Sequence, residues 1–121
     1  MILVDTSVWV DHLRSGNSRL RSFLIDNAVY CHPFVIGELS CGNLRNRTEV
    51  IRLLSALPMC DVVAHDAVLE LVNSNPLFGR GVGWVDAHLV AATIGSGIHL
   101  WTKDKRLCAI AEELKIAPPR T

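Results

Sequence analysis

Four carboxylates stand where the chain could gather them into one site: Asp5, Glu38, Asp86 and Asp104. Asp5 closes the apolar run Ile2-Leu3-Val4 and is followed at once by Thr6 and Ser7. Asp104 repeats the arrangement near the other end, just behind HLWT. Glu38 lies in PFVIGELSCG, where every neighbour from Phe34 to Cys41 except Ser40 is apolar or glycine. Helical spacing places Phe34, Glu38 and Cys41 on one face. A carboxylate buried there needs a partner, and none is near it in sequence. Asp86 opens the apolar stretch VDAHLVAATI. Three of the four also have a purely structural use. Asp5 and Asp104 suit helix N-caps, and Asp86 suits a first helical turn, where the dipole favours it.

Convergence would have a physical consequence. Two carboxylates about 5 Å apart repel by roughly 3 kcal/mol at an effective dielectric near 20. Summed over all pairs of four acids, the repulsion exceeds ~10 kcal/mol, comparable to the stability of a whole domain. Such a cluster must hold protons, a basic side chain or a cation. An all-oxygen donor set selects a hard ion, so Mg²⁺ is expected, with Mn²⁺ as a possible substitute. Mg²⁺ keeps several waters and takes one or two protein carboxylates directly, which leaves a water to activate and a face open to phosphate.

The elements that must position these acids follow from periodicity. Residues 2–5 read as a buried strand and 7–14 as a helix, broken by Ser15-Gly16-Asn17-Ser18. Residues 18–27 have helical spacing, 28–32 read as a strand, and 33–44 as a helix started by Pro33. A further helix over 47–57 ends at Pro58, and 60–65 reads as a brief strand before a helix over 65–74. Residues 73–83 are rich in turn formers. A helix over 84–97, a strand over 98–102, a helix over 103–115 and a final edge strand at 116–117 complete the chain. Strands alternating with helices imply a parallel sheet covered on both faces, a three-layer α/β/α domain. Ligands bind outside the carboxyl ends of the strands in such sheets, where Asp5 and Asp104 fall.

The totals fit one such domain over residues 1–121. Half of the 121 residues are hydrophobic, enough for a core without staples. The formal net charge is zero, so no strong field advertises a partner. Withdrawing four of the twelve acids into a site leaves the remaining surface net positive, eight acids against twelve Lys and Arg. Cys31, Cys41, Cys60 and Cys108 form no C-x-x-C pair and read as small buried hydrophobes. The five histidines lack paired metal-ligand spacing and read as structural or surface residues. No run reaches the ~18 apolar residues of a membrane span, and the expected location is cytoplasmic.

The segments I-L-V-D-T-S, G-E-L-S-C-G, V-D-A-H-L-V-A-A and L-W-T-K-D-K-R-L, in that order, resemble the PIN-domain ribonucleases, and within them the VapC toxins of bacterial toxin–antitoxin (VapBC) pairs. The resemblance spans residues 1 to about 114. It implies a PIN-like α/β/α domain with a central, mainly parallel sheet and a Mg²⁺-dependent endoribonuclease. Carried over residue by residue, Asp5 and Asp86 match the metal-binding acids, Glu38 the internal acid, and Asp104 the acid that helps hold the metal or its waters. Thr6 or Ser7 matches the hydroxyl position that steadies the site. The implied partners are RNA, a VapB-type antitoxin and a second copy of the chain, with no membrane. Arg14, Arg45, Arg47, Lys103, Lys105 and Arg106 could grip flanking phosphates, and Trp9, Trp84 and Trp101 could stack on an unpaired base. The apolar faces of 18–27 and 47–57 are candidate contact surfaces.

Other classes remain to be weighed. A catalytically silent PIN-fold binding module would have no reason to keep all four acids. Phosphatases with a nucleophilic Asp need a second Asp two residues on, where this chain has Ser7. A phospho-accepting receiver needs an Asp ending a middle strand, and Asp61 precedes one in the expected layout.

Overall fold

The computed structural model describes residues 1–75 and 77–119. Pro76, inside the segment expected as a loop, and Arg120 and Thr121 lie outside the described residues. The chain runs β1 (Ile2–Val4), α1 (Thr6–Ser15), α2 (Ser18–Ile25), β2 (Val29–Tyr30), α3 (Pro33–Cys41), α4 (Arg47–Ser55), α5 (His65–Ser74), α6 (Trp84–Ser96), β3 (His99–Trp101) and α7 (Lys105–Glu113). The strands form a parallel sheet in the order β2-β1-β3. Ile2, Leu3 and Val4 are all buried, although successive side chains of a strand face opposite ways. Both faces of β1 are therefore covered, as three layers require.

Local chemistry sets most boundaries. Asp5 caps α1, Asn17 caps α2 through a bond from the Leu20 N–H, and Pro33 occupies the first turn of α3. Gly97 ends α6 in the left-handed conformation, as a helix stop favours. The core joins Leu3, Val4 and Leu100 of the sheet to Val8, Leu20, Val35, Leu39, Leu89, Leu107 and Ile110 of the helices, all within 1% of full burial.

The strands expected over 60–65 and 116–117 are absent from the sheet, and His65 already begins α5. Residues 60–64 leave it immediately: Cys31 and Met59 make one isolated parallel bridge, and Asp61 and Val62 are exposed. At 116–117 the contact is a single bond from the Leu100 N–H to the Ile116 carbonyl, 2.8 Å. A lone ladder bond fixes an edge without propagating a strand. The register that matters for the site is Val4 opposite Trp101. It sets Asp5 and Thr102 side by side at the carboxyl edge, and the Asp5 N–H donates to the Trp101 carbonyl at 2.9 Å.

Candidate active site

Asp5 is 5% exposed and anchors this edge. Its Oδ2 accepts from the Ser7 hydroxyl at 2.7 Å, the Thr102 hydroxyl at 2.8 Å and the Ser7 N–H at 3.4 Å. The two hydroxyls lie 3.3 Å apart. They are themselves fixed by the backbone: the Lys103 N–H donates to Ser7 Oγ, and the Asp104 N–H to Thr102 Oγ1, each at 3.0 Å. All the bonds to Asp5 land on Oδ2. Oδ1 takes none from the described residues and is not sealed from solvent.

The other three acids share this division of labour. Asp104 caps α7, its Oδ1 accepting from the Arg106 and Leu107 N–H groups at 2.9 and 3.0 Å. Asp86 reaches back with Oδ2 to the Gly83 N–H at 3.2 Å, the half of a capping box that a glycine N-cap allows. Glu38 Oε1 accepts from the Thr6 hydroxyl at 2.6 Å, which ties α3 to the first turn of α1. Among the described residues, each carboxylate thus uses one oxygen for structure and keeps the other free. The capping role and a role in chemistry coexist on the same side chain.

Glu38 is not buried among its apolar neighbours, as its sequence context suggests; it is exposed. Exposure removes the desolvation cost, and Thr6 supplies the partner that no residue nearby in sequence could. Cys41, expected buried, is exposed too.

The four acids act on one another. Burial raises the Asp86 carboxyl above its usual range, and the charges of Asp5, Asp104 and Glu38 push it the same way, against the pull of the Gly83 N–H. No Lys or Arg answers them: the ion pairs among the described residues are Arg52–Glu49, Arg80–Glu113 and Lys103–Asp11. Lys103 lies beside the site but pairs with Asp11 at 3.0 Å. The remaining compensation comes from helix N-termini, since α1, α6 and α7 all start beside these acids.

The donor set fits a hard, hydrated cation. The four acids offer oxygens, and among the described residues no Lys or Arg side chain is paired with them. Among the described residues, no group of three or more His, Cys, Asp or Glu side chains is drawn tightly enough together to cage a metal alone. Mg²⁺ does not require such a cage, because water fills most of its shell.

Residues 2–113 match the family described as PIN domain. The chain belongs to the PIN-domain family. This PIN domain is also 48% identical over 118 residues to Ribonuclease VapC32 of Mycobacterium tuberculosis strain CDC 1551 / Oshkosh, and equally to Ribonuclease VapC32 of strain ATCC 25618 / H37Rv. Each alignment covers 97% of this chain and 95% of the relative.

Some residues of this PIN domain escaped the sequence reading. Thr102 holds Asp5 and Asp104 together, and the repeated juxtaposition of hydroxyl and acid in D-T-S and T-K-D was the available signal. His32 is fully buried and caps α3, its Nδ1 accepting from the Phe34 N–H at 2.9 Å. Trp9, a candidate for base stacking, is buried at 3% exposure and cannot meet a base. Trp101 carries the Arg19 guanidinium over its ring at 4.9 Å and meets the Phe23 ring edge-on at 5.9 Å. Among the described residues, no helix is long and apolar enough to cross a membrane.

Proposed function

We propose that this chain is a Mg²⁺-dependent endoribonuclease toxin of a toxin–antitoxin pair, with Mn²⁺ able to substitute. The carrying observation is the set of four acids that influence one another at the sheet edge, each with an oxygen to spare and none paired with a basic side chain among the described residues. The name of the 48% identical relatives supports the substrate class.

Asp5 and Asp86 would hold the ion, each having an oxygen not used in the hydrogen bonds that fix it. When bound, Mg²⁺ supplies a water of lowered pKa and polarises the phosphate oxygen. Asp5 is oriented for this by Ser7 and Thr102, which fix its carboxylate plane. Glu38 Oε2 and the free oxygen of Asp104 would orient the attacking water and receive its proton. A negative cluster repels RNA unless a cation offsets it, so the ion serves binding as well as cleavage. Arg106, on the first turn of α7, is available to grip a flanking phosphate. Arg14 and Arg45 line one groove with Val10, Leu13 and Leu44 and offer a second basic contact.

A VapB-type antitoxin and a second copy of the chain are the proposed protein partners. An apolar groove of about 310 Å³ between α1, α2 and α4, lined by Trp9, Leu13, Leu24, Val50, Leu53 and Leu57, supports the antitoxin. An amphipathic helix fits a groove of this kind.

The test is Asp5→Asn, which keeps the shape of the side chain. It should abolish RNA cleavage in Mg²⁺ while circular dichroism stays native. Cleavage at the wild-type rate overturns the assignment.

A further inference from the structure

We propose that Trp84 is the stacking platform for an unpaired base of the substrate, placed beside the acidic cluster. The inference rests on the ribonuclease reading and adds a positioning residue to it. Of the three tryptophans, Trp9 is sealed in the core and Trp101 is half-buried with the Arg19 guanidinium already over its ring, but Trp84 is 40% exposed. It begins α6 two residues before Asp86, so their Cα atoms are separated by about 5 Å.

The indole is held by its neighbours. The His65 ring packs against it at 5.0 Å and 52°, and the His88 ring meets it edge-on at 4.8 Å and 88°. His88 is buried and in turn contacts Phe34 at 4.6 Å. Phe34 stands one turn before Glu38 on α3, so the aromatic chain that fixes Trp84 runs past a second site acid. Phe78, 63% exposed, lines a crevice of about 120 Å³ together with Trp84. The segment carrying Phe78 is tied to α7 by the Arg80–Glu113 pair, at 2.5 and 2.9 Å.

Two exposed aromatics lining one crevice beside a phosphodiester-cutting cluster need an occupant. Every nucleobase has a π-face, and stacking on an aromatic side chain tolerates any sequence. Single-stranded RNA offers such bases splayed out, whereas a duplex does not. An indole already fixed in place loses little conformational freedom on binding. A protein segment is the competing occupant, and the experiment separates the two.

The Asp5→Asn protein, in Mg²⁺, is titrated with a short single-stranded RNA alone and combined with Trp84→Leu or Trp84→Phe. Leu fills the site without a ring, and Phe restores one. Labelled-RNA anisotropy gives the affinity, and indole fluorescence reports contact. The Asp5→Asn protein should show quenching on binding. Trp84→Leu should lose the quench and bind about tenfold more weakly, with Trp84→Phe within about threefold of the parent. An abasic substitution at one position of the RNA should weaken the parent by a similar factor and leave Trp84→Leu unchanged. Equal binding by Trp84→Leu, or abasic sensitivity that survives it, overturns the proposal. So does a change of oligomeric state on Trp84→Leu with RNA affinity intact, which marks a protein contact. The readout is binding, so a chain that stacks RNA but cuts none would sink the ribonuclease reading and leave this one standing.

Discussion

Thr102 Oγ1 donates to Asp5 Oδ2 at 2.8 Å, across the seam between β1 and β3. The same oxygen accepts from the Asp104 N–H, so one hydroxyl ties two of the site acids to the sheet. Thr102→Val keeps the shape and removes both functions of the hydroxyl. Ser7 still donates to Asp5, so the carboxylate is loosened without being released. Loss of such an outer contact typically costs 10–100-fold in metal affinity or activity, and about that loss is expected in RNA cleavage. Thr102→Ser should restore most of it. Full activity in Thr102→Val would mean that Ser7 alone fixes Asp5.

Asp86 makes the cluster visible in stability. Its carboxyl is raised by burial first and then by Asp5, Asp104 and Glu38. A raised carboxyl keeps its proton longer in the native state than in the unfolded chain. Its contribution to stability is present at low pH and is lost as pH climbs through the folded value. At neutral pH the ionised Asp86 is therefore a net cost in metal-free protein. Asp86→Asn should raise the metal-free Tm at neutral pH, since a neutral amide still accepts from Gly83. It should also reduce the rise in Tm that Mn²⁺ produces in the wild type. For the wild type, ion at a hundredfold excess over Kd stabilises by about 2.7 kcal/mol. A lower metal-free Tm for Asp86→Asn, or an undiminished response to Mn²⁺, contradicts this account.

Much of this architecture was legible in the letters. The apolar run before Asp5 and the one before Asp104 gave two parallel strands and their edge. The cap chemistry at Asp5 and Asp104, Pro33, and the break at Ser15-Gly16-Asn17-Ser18 gave several helix ends. Residues 60–64 misled because Val62-Val63 has strand propensity, yet pairing is decided by a partner that only the tertiary fold supplies. Glu38 misled for a similar reason. Its neighbours are apolar, but its own face turns outward to Thr6, thirty-two positions away in the chain. Thr102 and His32 were missed because a single hydroxyl or imidazole carries no periodic signal.

His32 gives the chain an acid-sensitive core. It is fully buried, and burial, with a smaller push from His88, lowers its imidazole to about 4. Its Nδ1 accepts from Phe34, so the neutral ring carries its proton on Nε2, which has no partner. Between pH 6.5 and about 4 the unfolded chain takes up a proton that the native imidazole refuses. Stability is therefore complete above pH 6.5 and falls as pH drops toward 4, by about 3 kcal/mol for a shift of this size. His32→Asn retains an N-cap acceptor and does not titrate. Urea unfolding across that window should show a shallower decline in the variant, even though the smaller side chain lowers stability at every pH. Parallel declines would mean that His32 is not the group responsible.

Gly81 and Gly95 should respond in opposite senses to the same substitution. Gly95 is the penultimate residue of α6, and a Cβ there would meet nothing within 4 Å. Gly95→Ala should stabilise by about 0.5–1 kcal/mol through the lost entropy of the unfolded chain. Gly81 has φ +80, and a Cβ there would come within 2.8 Å of Arg106 Cδ and 2.9 Å of Nη1. The left-handed backbone alone costs about 1–2 kcal/mol for alanine. The Arg106 side chain is flexible and can swing clear, which relieves the contact but moves the guanidinium away from its place against the loop. Gly81→Ala should therefore destabilise the fold and also weaken RNA binding. Combining it with Arg106→Ala separates the two causes. The stability loss should persist in the double variant, because it is backbone strain, while the RNA-binding defect of Gly81→Ala should vanish against an Arg106→Ala background. If the binding losses simply add, the loop does not set the position of Arg106.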